Sequence, residues 1–119
     1  MAIVADLLAK PGVVAAGEYT YKAEPLSYEG QLDPEAAQLL AVMGHATTLG
    51  TQMEGDMLRA IDPDSKLLPV RGWILRGPQY ALCVMANVYC LVDSRKKDSL
   101  NRVVAHMRQA LRDASMELV

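Results

Sequence analysis

The chain has 119 residues, 51% of them hydrophobic and 22% charged, and a formal charge of −2. That length supports one core, so 1–119 reads as a single domain, and the apolar share excludes general disorder. A slightly acidic chain also offers no electrostatic footprint for nucleic acid.

Residues 2–10 place Ile3, Val4, Leu7 and Leu8 on one side of a short helix, which Pro11-Gly12 ends. Residues 13–20, small and β-branched, read as a strand, and Tyr21-Lys22-Ala23-Glu24 turns the chain into a second strand over 25–30. Pro25 at the head of that strand lacks an amide donor, which assigns it to a sheet edge.

Asp33-Pro34-Glu35 then opens a long helix: an N-cap acid, a proline at the first helical position and an acid suited to the positive end of the dipole. Asp62-Pro63-Asp64-Ser65 stops it. Between them, Ala36, Leu39, Leu40, Val42, Met43, Ala46, Leu49, Gly50, Met53, Met57, Leu58 and Ile61 cover about half the helix circumference, more than the ~100° stripe of a single core contact. Gln38, Gly44, His45, Thr48, Gln52, Gly55 and Arg59 form the opposite side, read as the wet face. The expectation is a helix that gives half of its apolar stripe to its own core and half to a partner.

Three strands follow. Residues 70–76 carry Arg71, Trp73 and Leu75 on one face; residues 80–85 and 88–93 are nearly continuous apolar runs joined by Ala86-Asn87, a tight turn in which Asn tolerates positive φ. Strands apolar on both faces need cover on both. After Ser94-Arg95-Lys96-Lys97, Asp98-Ser99 caps a last helix whose Leu100, Val103, Val104, Met107, Leu111 and Leu118 share a face, with Arg102, Arg108, Gln109 and Arg112 outside. The reading is one long helix against one face of the sheet and two shorter helices against the other.

No apolar run approaches the ~20 residues that cross a bilayer, and no leader with a cleavage site opens the chain, so a cytoplasmic location without membrane insertion is expected. Residues 1–65 hold 3 Lys/Arg and 10 Asp/Glu, a balance of −7; residues 66–119 hold 9 and 4, a balance of +5. Such halves attract within or between copies, or fall on separate solvated faces. No phosphate loop, serine elbow or zinc-binding tetrad is present, and no cofactor is implied. His45 and His106 have no ligand partner at i+3 or i+4; His45 on the wet face reads as solvated.

Cys83 and Cys90 form the one pair with possible chemistry. If Ala86-Asn87 are the centre of a two-residue turn, position 83 pairs with 90 in a hydrogen-bonded site of ~5.5 Å Cα separation, within disulfide reach. The ordinary reading is two small buried hydrophobes. Arg71, Arg76 and 95–97 read as plain surface, or as a basic rim for an acidic partner or anion. Met43, Met53 and Met57 on one helix face, with Gly50 between them, are read as partner contact, because methionine adapts its shape and glycine admits close approach. Thr47 and the face of Arg71, Trp73 and Leu75 complete that surface, with Trp73 as its aromatic anchor.

The order of elements and Lys10-Pro11-Gly12-Val13-Val14-Ala15-Ala16-Gly17 leading into a strand resemble the roadblock (dynein light-chain) superfamily over essentially the whole chain. Gly72-Trp73, Arg76-Gly77-Pro78 and the Asn87 turn resemble, more narrowly, an uncharacterised bacterial branch. The first hairpin departs from the pattern, with Tyr21-Lys22-Ala23-Glu24 where an Asp-Gly turn is usual. The resemblance implies an α/β (α+β) fold of order αββαβββα, with a five-stranded antiparallel sheet between one long and two shorter helices. It implies a homodimer built by antiparallel packing of long helices and edge pairing of third strands. It further implies a non-enzymatic scaffold or adaptor, serving a small GTPase or a heterodisulfide-reductase-like sulfur-oxidation complex. A small-ligand or thiol redox sensor using Cys83 and Cys90 is the alternative.

Overall fold

The long helix α2 (Pro34–Ile61) begins where its acids and proline place it. Asp33 is the N-cap, with extended backbone, and its carboxylate accepts from the Ala36 amide at 2.8 Å. Pro34 loses nothing at the first turn, where amides have no helical acceptor. At the other end the Asp62 amide donates to the Leu58 carbonyl at 2.8 Å before Pro63 forbids a further turn. Asp33→Ala is expected to cost about 1 kcal/mol in urea denaturation, with the fold retained.

The computed structural model describes residues 3–64, 70–96 and 98–113. Around α2 the order is α1 (Ile3–Leu8), β1 (Val13–Tyr19), β2 (Pro25–Gly30), then β3 (Gly72–Arg76), β4 (Tyr80–Met85), β5 (Val88–Asp93) and α3 (Ser99–Ala110). The five strands form one antiparallel sheet in the order β2-β1-β5-β4-β3. Alternation along each strand divides the interior into two cores. On one face α1 and α3 cover Ala16, Cys83, Val88, Cys90 and Val92; on the other α2 covers Tyr19, Leu82, Val84 and Tyr89. This is the expected sandwich. No helix of the described residues is long and apolar enough to cross a membrane.

Three local expectations are corrected. The strand expected over 70–76 starts only at Gly72, whose partner is Met85; β4 turns immediately afterwards, so Val70 and Arg71 have no ladder to join. In the β4–β5 turn Ala86, not Asn87, has positive φ (52°). Asn87 is held in line with β1: its carbonyl accepts from the Tyr19 amide at 3.0 Å and its Nδ2 donates to the Tyr19 carbonyl at 2.8 Å. Asp98 stands at the N-cap of α3 but in left-handed backbone (φ 62°), and its side chain makes no cap bond; capping needs an extended N-cap residue. The expected Ser65 stop, Lys97 and Leu118 lie outside the described residues.

Candidate interaction surface

Small residues face the sheet from α2. Ala37, Ala41, Gly44, Thr48 and Gly55 are its buried positions, because the sheet supplies the bulk. Tyr19 is fully buried, and a Cβ on Gly44 would lie 2.9 Å from its ring. The Tyr19 hydroxyl donates to the Ala86 carbonyl at 3.3 Å, and burial raises its pKa. Trp73 on β3 donates from Nε1 to Thr48 Oγ1 at 2.8 Å. The side read as wet is therefore largely the inner one: Gly44, Thr48 and Gly55 are buried, and His45 lies edge-on to Tyr19 with ring centroids 6.3 Å apart. Size matching, more than polarity, decided which face went in.

The consequence is on the outside. Leu39, Val42, Leu49, Met53, Met57 and Ile61 are exposed, Leu39 to 65%, Met53 to 60% and Ile61 to 82%. Leu40 and Met43 alone among the large apolar residues of α2 pack on the chain's own core, so far less than half of the stripe is used internally. Positions 39, 42, 46, 49 and 53 repeat at alternating intervals of three and four, the spacing of a helix-pairing seam. Gly50 borders it, with nothing within 4 Å of where a Cβ would stand.

Of the expected contact residues, Thr47, Met53, Met57, Arg71 and Leu75 are exposed and Gly50 is half-buried. Met43 is shared with the internal core. Trp73 is half-buried and tied to Thr48 inside the subunit. Sequence reasoning placed Leu39, Val42, Ala46 and Leu49 in the apolar half without assigning them outward; their three-four spacing was the signal. Beside α2, β3 is an edge strand, so its outer row of amides and carbonyls has no partner in the sheet.

The remaining candidates do not converge. Among the described residues no three His, Cys, Asp or Glu side chains are grouped to hold a metal. Arg95 is bound to Asp93 at 3.0 and 2.9 Å, and this pairing holds the Asp93 carboxyl at about 2. Arg71 donates to the Arg112 carbonyl at 3.1 Å. Cys83 and Cys90 are direct cross-strand partners, as the two-residue turn requires. Both are free and buried in the core under α1 and α3. Burial pushes the Cys83 thiol from 9.0 up to about 11; burial and then the neighbouring Cys83 push Cys90 up to about 12. A thiol that stays protonated is a weak nucleophile.

These shifts carry a pH dependence. Above pH 9 the unfolded chain releases thiol protons that the folded chain keeps, so stability is level below that point and falls as pH rises toward 11–12. Urea midpoints measured across the alkaline range test the sign; a midpoint that rises there contradicts the burial of the pair.

Sequence comparison with curated proteins gives no match. Among solved structures, "MglB with tetrameric arrangement" superposes with a TM-score of 0.69 at 15% identity, over 98% of this chain and 87% of that one. The gliding protein MglB from Thermus thermophilus gives 0.69 at 17%, over 90% and 78%. A Roadblock/LC7 domain from Streptomyces avermitilis gives 0.56 at 18%, over 92% and 94%. These likenesses establish the roadblock fold. A family described as an uncharacterized conserved protein (DUF2173) matches residues 3–109, and this chain, a roadblock-like domain with an apolar helix face turned outward, belongs to that family.

Proposed function

We propose that the chain is a non-enzymatic homodimeric adaptor or regulatory subunit. Two copies pair through the outward face of α2 and the open edge of β3, and the joined surface serves a larger protein assembly. The observation that carries this reading is the exposed seam Leu39-Val42-Ala46-Leu49-Met53. Covering the exposed half of its large side chains supplies on the order of 5 kcal/mol before the costs of association. The occupant suggested by the seam is a second copy of itself. Its flanking positions, Gln38, His45 and Gln52 on one side and Met43, Gly50 and Met57 on the other, bring no acids or fixed cations together when two such helices meet.

The fold supports a platform role, since it packs α2 over a sheet whose last strand is open. Candidate larger partners are a small GTPase or a heterodisulfide-reductase-like sulfur-oxidation complex, the classes implied by the roadblock resemblance. Sedimentation velocity on the purified chain and native mass spectrometry of the complex isolated from source cells test the two parts. A monomer at micromolar concentration overturns the first, and absence of a stoichiometric protein companion overturns the second.

A thiol sensor built on Cys83 and Cys90 is the second reading. Their adjacency in the ladder favours it; their burial and raised pKa values weigh against it.

A further inference from the structure

The face of the sheet opposite α2 carries a second surface, separate from the outward face of α2, although its outermost strand is the β3 edge used in the proposed pairing. There α3 lies over β5 and β4, while β3 is the last strand of the sheet. Ile74 is the cross-strand partner of Cys83, whose side chain belongs to the core under α3. Ile74 therefore points to the α3 side, where it is 48% exposed. Arg76, two residues on, shares that side and is exposed. At the start of the strand the bond from Arg71 to the Arg112 carbonyl sets the end of α3 beside β3. Arg108 stands in the last turn of α3 and is exposed, and Arg112 follows just past the helix end.

Along the strand Arg71 and Arg76 thus flank a half-exposed isoleucine, with Arg108 in the last turn of the neighbouring α3, and β3, β4 and α3 contain no Asp or Glu to balance them. Asp113 approaches Arg112 at 3.8 Å, but both side chains are exposed, and such pairs contribute little. The geometry points to this strip as a docking surface for an acidic segment of a partner protein: its carboxylates meet Arg71, Arg76, Arg108 and Arg112, and an apolar side chain between them covers Ile74. A protein segment is favoured over nucleic acid for two reasons. The chain as a whole is acidic, with 10 Asp/Glu in residues 1–65 that repel a long polyanion. An apolar centre also has no counterpart on a phosphate backbone.

The test is fluorescence anisotropy with the full chain and a labelled peptide of repeating Glu-Glu-Leu triplets, at low and high salt. Saturable, salt-sensitive binding is expected. Arg76→Glu and Arg108→Glu should each weaken it on the order of tenfold, because exposed charges that meet a partner act additively when separated. Ile74→Ser should weaken it with less change in salt dependence, and Glu24→Lys at the opposite edge should leave it unaltered. All four positions are solvent-exposed, and circular dichroism checks that each variant is folded. Absence of saturable binding, unchanged binding by the arginine variants, or oligothymidylate competing as well as the peptide would each overturn the assignment. Light scattering on the same samples reports the α2 pairing separately.

Discussion

If two copies pair through α2 as proposed, Gly50→Arg is expected to yield a folded monomer in place of the dimer. Nothing lies within 4 Å of the Cβ position at Gly50, so the isolated subunit accommodates the side chain, and replacing a mid-helix glycine favours the helix by up to about 1 kcal/mol. In the paired state the same side chain would hold two backbones apart and bury an unpaired cation, a penalty of about 3–5 kcal/mol. That corresponds to a dissociation constant raised roughly a hundredfold or more. Light scattering over a dilution series reads the change. Thermal melting at concentrations where both proteins are monomeric should show no loss, which separates a broken interface from a broken fold. A dimer that survives the substitution would show that the α2 face is the wrong surface.

Tyr19→Ala is expected to cause the largest loss of subunit stability. Its ring is fully buried between β1 and α2 against Gly44, and its backbone exchanges two hydrogen bonds with Asn87. Small residues on α2 leave nothing that could collapse into the space. Truncation of a buried aromatic costs about 3–5 kcal/mol, a drop of roughly 10–20 °C in Tm for a domain of this size. Tyr19→Phe keeps the volume and gives up only the hydroxyl bond to the Ala86 carbonyl, for a loss of about 1 kcal/mol. Equal losses for the two variants would mean that the hydroxyl, not the ring, supports α2.

Much of this architecture was legible because its signals are local. Asp33-Pro34-Glu35 marked the first turn of α2 through amides that need a partner outside the helix. Ala86-Asn87 fixed the ladder of β4 and β5, and with it the adjacency of Cys83 and Cys90, because a two-residue turn leaves no freedom of register. The inner face of α2 was not legible in the same way. A helical projection separates two faces; which of them meets a sheet depends on what the sheet presents, and Tyr19, Trp73 and Tyr89 lie far away in sequence. Small residues at 37, 41, 44 and 48 fit those rings, and the larger apolar face was left outside. The tie from Trp73 to α2 was hidden for the same reason: its acceptor, Thr48, is 25 residues distant.

A sheet with two open sides invites copies to add at both, and β3 and β2 occupy those positions here. On the β2 side Pro25 withholds a donor, the register slips between Glu18 and Tyr19, and Glu24 and Glu29 would confront their own counterparts. The proposed pairing uses the other side, β3, where like would meet like about a two-fold axis and each contact would consume the open edge. On the proposed pairing two chains would complete the assembly, leaving a fibre no second open side from which to propagate.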